Sequence, residues 1–351
     1  MDQAISALEQ LTGKRWSAIR SAAETSHRIL EDLEKSVDDL ADPNIAVVVT
    51  GSLGRGEATP DSDADWFLLI DGPSNPDHAV LAHEVDRRVK GVVPKAVGPT
   101  GTFAGIVTSH ELVHYIAGNK DTNENLTRRI LLLSESHALS NDLVRQRVIR
   151  NVLSRYIIHD RSVRSASGNP HTIPHFFLND IVRYWRTMAS DYASKMWDRE
   201  RKGWGIRNIK LRFSRKLLFL WGLLAAFSGE LFPNEEMLAS ADEDEYLRLL
   251  AELIREQTDV TPLSLLARIV LETQDTAISD DIFSSYDEFL AVLADAKKRD
   301  LLEKVDFEQA TSDPTYDALR QLSSRFREGV TTLFFDRHPR LPDLIRKYGV
   351  F

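Results

Sequence analysis

Gly51-Ser52-Leu53-Gly54-Arg55-Gly56-Glu57-Ala58-Thr59-Pro60-Asp61-Ser62-Asp63-Ala64-Asp65-Trp66-Phe67-Leu68-Leu69-Ile70 decides how this chain is read. An apolar run, Ile45 to Val49, leads into Gly51-Ser52, and a second apolar run begins at Trp66. Between them stand Asp63 and Asp65, spaced i, i+2. Residues so spaced in a strand point to the same face, so at the start of a strand over 64–70 they aim two carboxylates at one point. Gly51 lets the backbone turn sharply and approach an anion closely. Ser52 offers a hydroxyl and an N–H to a phosphate oxygen. Arg55 offers a guanidinium fork to phosphate, or pairs with Glu57 and braces the loop. Two like charges side by side favour a divalent cation, and two hard oxygen ligands beside a glycine-rich turn suit Mg²⁺ holding a triphosphate. A lone Gly-Ser would read as a solvated turn; the ordered set of strand, Gly-Ser, Arg-x-Glu, Ser-Asp-x-Asp and strand is far more specific.

Composition sets the outer bounds. The chain of 351 residues is long enough for two domains and a sizeable core. It is 42% hydrophobic and 28% charged, as ordinary globular proteins are. It contains no run of about 18 apolar residues, so no membrane span is expected. Met1-Asp2-Gln3 lacks the basic and apolar regions of a signal peptide, and a cytoplasmic location is the expectation. Cysteine is absent, which excludes disulfides, thiolate zinc sites and cysteine nucleophiles. The net charge of −9 argues against strong general nucleic-acid binding.

Hydrophobic periodicity predicts helix over 2–41, broken near Thr12-Gly13, then strands at 45–50 and 64–70. Helix follows at 77–90, an extended segment at 102–108, and helices at 122–138 and 141–159. The remainder reads as helix, at 174–199, 206–229, 243–257, 261–272, 281–299 and 314–336. The fold class is therefore α+β: a small mixed-sheet domain with N-terminal helices over 1–160, followed by an all-helical domain over 170–351. The Ser-, Gly- and Asn-rich stretch Arg161 to Pro170 is the expected boundary.

The Gly-Ser loop, Gly54-Arg55-Gly56-Glu57 and Ser62-Asp63-Ala64-Asp65 together resemble the polymerase-β-like nucleotidyltransferase superfamily, most of all the uridylyltransferases that modify PII signalling proteins and their relatives. The resemblance is specific over about 45–70 and weaker through Asp121 to Ser136. It implies that Asp63 and Asp65 are catalytic metal ligands for two Mg²⁺ (or Mn²⁺) ions, and that Gly51 and Ser52 hold phosphate. It also implies an NTP such as ATP as substrate, a protein or small-molecule acceptor, and release of pyrophosphate. Synthesis of an oligonucleotide or cyclic-nucleotide signal, and nucleotide binding without turnover, are the alternatives.

One part of the superfamily pattern is missing. A third carboxylate usually stands on a later strand beside the pair, yet Thr102-Phe103-Ala104-Gly105-Ile106-Val107-Thr108 has no acid. Asp121 is the preferred substitute as catalytic base, with Glu111 and Asp71 as other candidates; as a residue at a helix start, Asp121 also reads as a cap.

A second region stands out. Between 175 and 220 there are 11 Lys+Arg against 4 Asp+Glu, a local excess of +7 in an acidic chain. Asn179, Arg183 and Arg186 share one helix face; Arg207, Lys210 and Ser214 share another. Arg183, Arg186, Arg207 and Lys210 are the candidate nucleotide-binding residues here, as a clamp on triphosphate or acceptor. The alternative is two solvated helices. Arg128 and Glu135 are spaced to approach each other. His110-Glu111-Leu112-Val113-His114 matches the zinc-protease pattern, but the segment is short and no third ligand follows it.

Overall fold

The computed structural model describes residues 2–349 apart from 41, 96–104, 159–172, 199–202, 241, 309 and 311. The sheet is built from β1 (Ile45–Thr50), β2 (Asp65–Ile70), β3 (Gly105–Thr108) and β4 (His137–Ala138). The helices of the first half are α1 (Gln3–Thr12), α2 (Ser17–Val37), α3 (Gly51–Gly54), α4 (Asp77–Val92), α5 (Ser109–His114), α6 (Asn123–Ser134) and α7 (Asp142–Ile157). Then come α8 (His175–Asp198), α9 (Trp204–Arg212), α10 (Ser214–Ala226), α11 (Ser228–Leu231), α12 (Glu235–Ala239) and α13 (Glu243–Thr258). The last helices are α14 (Pro262–Thr273), α15 (Thr276–Ser279), α16 (Ser285–Ala294), α17 (Ala296–Lys304), α18 (Pro314–Thr332) and α19 (Leu341–Leu344). The α+β expectation holds: a small mixed sheet near the N-terminus is followed by predominantly helical chain.

Two compact units divide these elements. The sheet unit comprises Glu24–Tyr184 and Ala225–Thr261; the helical unit comprises Met1–Ala23, Trp185–Leu224 and Pro262–Phe351. The boundary expected at 161–170 lies outside the described residues. Hydrogen bonds tie the start of α2 to the helical unit: Trp16 donates Nε1–H to Ser284 Oγ at 3.1 Å, and the Ile19 N–H reaches Asp287 Oδ1 at 2.9 Å. In the sheet unit α13 packs on α7, and Asp259 just beyond it accepts from Gln146 at 2.9 Å and from Arg255 at 2.8 Å.

The sheet order is β3-β2-β1-β4, with β1 antiparallel to β2 and β4 and with β3 parallel to β2. Every residue of β1 is buried, as expected of a continuous apolar strand covered on both faces. Ile45, Val47 and Val49 join Trp66, Leu68 and Ile70 on one face, packed with Leu33 and Val37 of α2 and Val85 and Val89 of α4. Helix α7 packs against β1 and β2.

Two boundaries differ from the sequence reading. The helix expected over 122–138 stops at Ser134; Glu135 leaves the helix with φ −152°, and His137–Ala138 adds an edge strand to β1. The helix expected over 206–229 breaks at Phe213 (ψ −89°), whose ring stacks on Phe289 at 4.5 Å and 6°. In both places a long-range contact overrides local periodicity.

Candidate active site

The Gly-Ser loop is one tight turn between β1 and the β2 hairpin partner. Thr50 ends β1 in extended conformation, and Gly51 then takes φ +75°, a region that disfavours other residues. Helix α3 closes with the Arg55 N–H on Gly51 O at 3.1 Å and the Glu57 N–H on Ser52 O at 2.8 Å. A Cβ on Gly51 would lie 3.2 Å from Asp65 Oδ2, so the missing side chain is what lets this carboxylate sit over the turn. A Cβ on Gly54 would stand 1.7 Å from the Glu135 carbonyl oxygen, an impossible approach for any other residue.

The loop is braced from the end of α6 by a residue that the sequence reading did not assign to the site. Glu135 Oε1 accepts the Gly51 N–H at 2.9 Å, and Glu135 Oε2 pairs with Arg55 Nη1. Arg55 Nε donates to Glu57 Oε2 at 2.8 Å. Glu135 and Glu57 are buried and Arg55 nearly so. Of the two readings of Arg55, this is the brace: its guanidinium is held between two carboxylates. The expected approach of Arg128 to Glu135 gives way to an i, i+4 pair of Arg128 with Glu124 at 2.6 Å.

Asp65 is the first residue of β2 and pairs with Thr50. Trp66 enters the core cluster, so alternation sends Asp65 to the other side of the sheet, away from α2 and α4, while Asp63 lies in the segment just before β2. Both aspartates are half-buried, as is Ser52. On β3, Gly105 pairs with Phe67 and so shares the face of Asp65; the Arg128 guanidinium stands 4.0 Å from where a Cβ on Gly105 would be. No group of three or more His, Cys, Asp or Glu side chains is arranged to hold a metal among the described residues.

Asp121 has a different environment. It is buried, and its carboxylate accepts from Arg129 Nη1 at 3.2 Å, Arg129 Nη2 at 3.1 Å, Arg183 Nη1 at 2.7 Å and the Ala117 N–H at 3.2 Å. Arg183 Nη2 donates to the Asp121 carbonyl at 2.7 Å. Fully buried Arg129 also reaches Asp180 Oδ2 at 2.7 Å and Tyr156 Oη at 2.6 Å, and Tyr156 donates to Asp180 at 2.6 Å. Burial works against the Asp121 charge, but the Arg129 and Arg183 guanidinium groups outweigh it and hold the carboxyl below its ordinary value. Burial, with the Asp180 carboxylate, pushes the Tyr156 phenol well up.

Arg186, Arg207 and Lys210 lie in the helical unit, Arg186 exposed on α8 and the other two half-buried on α9. On α5 the His110 and His114 rings stand 4.8 Å apart, both exposed. Thr108 caps that short helix by accepting the Glu111 N–H at 3.4 Å.

A family model described as nucleotidyltransferase domain matches residues 30–159. The matched segment contains the whole sheet, the Gly-Ser loop, both aspartates and the Glu135 brace. The match supports the polymerase-β-like superfamily for this segment, and nucleotidyl transfer as its general chemistry, with an NTP as the expected substrate. No curated protein matches the chain. Among the described residues no helix is long and apolar enough to cross a membrane.

Proposed function

We propose that the sheet unit is a divalent-metal-dependent transferase that moves an NMP from an NTP to a hydroxyl of a protein or small-molecule acceptor. The observation that carries this reading is the approach of Asp65 to the Gly51 turn, beside the exit of β1. Two carboxylates and a glycine-lined backbone fit Mg²⁺, which keeps few protein ligands and fills its shell with phosphate oxygens and water. Asp63 and Asp65 would hold the metal; when bound, it supplies positive charge to the entering and leaving oxygens of the displacement. Ser52 offers its hydroxyl to a phosphate oxygen, and its backbone N–H lies in the first turn of α3. Glu135 and Arg55 hold that turn in shape before substrate arrives, so no ordering is required at the moment of reaction. The acceptor oxygen bonds to the α-phosphorus, the bond from that phosphorus to the bridging oxygen breaks, pyrophosphate leaves, and the hydroxyl proton passes to solvent or a base. Asp121, occupied by two arginines, is an anchor for α6 and α8 in this reading rather than the base. In the helical unit, taken by itself, Arg186, Arg207 and Lys210 are candidate nucleotide- or acceptor-binding residues. The Gly54-Arg55-Gly56-Glu57 and Ser62-Asp63-Ala64-Asp65 contexts favour the PII-uridylyltransferase type.

The test pairs calorimetry of Mg²⁺ and Mn²⁺ binding with mass spectrometry of candidate acceptors incubated with each NTP. Asp63→Asn and Asp65→Asn are expected to lose metal binding and transfer while keeping the wild-type circular dichroism spectrum. Unchanged metal binding in both variants overturns the assignment. The lack of a third acid on the described part of β3 favours one other reading, a nucleotide-binding regulator; Mg–NTP binding with no transfer to any acceptor selects it.

A further inference from the structure

The helical unit carries a group of cations that the proposed transfer chemistry does not use. Arg212 ends α9 and is oriented entirely by neutral groups. Its Nε donates to Asn208 Oδ1 at 2.7 Å and its Nη1 reaches Ser323 Oγ on α18 at 3.4 Å. Asn208 is itself fixed, donating to Tyr192 Oη at 3.1 Å and accepting from Tyr316 Oη at 3.0 Å. Arg327 lies four residues beyond Ser323 on α18, so it falls on the same helix face one turn along. Lys216 lies four residues beyond Arg212, half-buried on α10. Burial, with the Arg327 and Arg212 charges beside it, holds the Lys216 ammonium below the usual lysine range.

Elsewhere in this unit arginines meet acids: Arg325 pairs with Asp280 and Asp281, Arg320 with Asp317, and Arg346 with Asp343. Among the described residues, no carboxylate lies within ion-pair reach of Arg212, Lys216 or Arg327. Three mutually repelling cations, one held on a preset amide and one partly desolvated, form a receptor for a multiply charged anion. Guanidinium forks beside a compact ammonium match the oxygens of linked phosphates better than a single carboxylate.

We infer that Arg212, Lys216 and Arg327 form a binding site for an oligophosphate group. The site stands independently of the transfer reading, because none of its residues belongs to the sheet unit. The phosphate chain of a nucleotide and that of a second phosphorylated ligand share this chemistry.

The test is calorimetry of the full chain against inorganic tripolyphosphate at fixed ionic strength without divalent metal. The wild type is expected to bind one tripolyphosphate, and Arg327→Gln to weaken it by at least about tenfold, the order of a lost charge-assisted hydrogen bond. Arg327 is exposed, so this variant tests the site without a burden on folding. Arg212→Gln is expected to do the same. Arg346→Gln, an exposed arginine on another segment, should leave affinity unchanged. Asp63→Asn should also bind normally, whatever it does to transfer, which separates this site from the metal assignment. Displacement by a non-hydrolysable Mg–NTP analogue identifies the nucleotide as the source, and simultaneous binding identifies a second phosphorylated ligand. Absence of binding, equal affinity in Arg327→Gln and wild type, or an equal loss in Arg346→Gln overturns the inference.

Discussion

Gly51 and Asp65 meet at the end of β1, where a Cβ on the glycine would stand 3.2 Å from Asp65 Oδ2. Gly51 also holds φ +75°. Gly51→Ala therefore meets two penalties at once, a left-handed backbone carrying a side chain and a crowded carboxylate. The expected loss of stability is about 1–2 kcal/mol, the usual cost of that backbone region for an L-residue. Metal binding should fall by more than stability does, since the displaced group is a proposed ligand. Urea denaturation and Mg²⁺ calorimetry on one preparation check both.

Glu135→Ala should destabilise the protein at the lower end of about 3–5 kcal/mol, the range for breaking a buried ion pair, because Glu57 still faces Arg55. Glu135→Gln keeps an acceptor for the Gly51 N–H and should lose less. Thermal denaturation ranks the two; an equal loss in both would show that the charge matters and the Gly51 bond does not.

Asp121→Asn leaves buried Arg129 with only Asp180 as a carboxylate partner, with an expected cost at the lower end of about 3–5 kcal/mol. Turnover per folded molecule should stay within about threefold, whereas a general base would show a loss of about 10²–10⁴-fold. Because the folded carboxyl titrates below its ordinary value, the stability it contributes is present above that value and disappears as pH falls through the folded one. Single-turnover transfer with stability measured from pH 2 to 7 tests both statements.

His338 gives the helical unit its own acid sensitivity. Its Nδ1 accepts the N–H groups of Arg340 and Leu341, both at 3.1 Å, which leaves the proton on Nε2. Nε2 lies 3.3 Å from Glu272 Oε2 but is not aligned for a hydrogen bond. Burial, and then the Arg340 charge, outweigh that carboxylate and push the imidazole from 6.5 down to about 4. A depressed value means that the unfolded chain takes the proton first. The stability this histidine contributes should be complete above pH 6.5 and decline as pH falls toward 4, by about 3 kcal/mol in all. In His338→Phe the decline over that interval should flatten.

Strands β1 and β2 were legible because both are continuous apolar runs; the proposed roles of Asp63 and Asp65 rest on their spacing and on the loop beside them. Glu135 was not legible as a site residue: it lies 80 residues from Arg55 and follows a helical pattern that continues past the real end of α6. Asp121 was visible as an acid at a helix start, but its fate depends on Arg183, 62 residues away, and on a tyrosine in α7. Side-chain partners at such separations leave no periodic trace. The break at Phe213 was hidden for the same reason, since the ring that receives it belongs to α16.

The seat of Gly54 against the Glu135 carbonyl also bears on how this region moves. The close seat goes with the Gly51 N–H bond to Glu135 and the Arg55–Glu135 pair, so the turn after β1 moves outward only by breaking its bonds to the end of α6. Opening of one is opening of the other. The amides of Arg55 and Glu57 should therefore exchange with deuterium at the same rate as that of Glu135, although the chain between them is long, and a label on the last turn of α6 becomes a reporter for the phosphate loop.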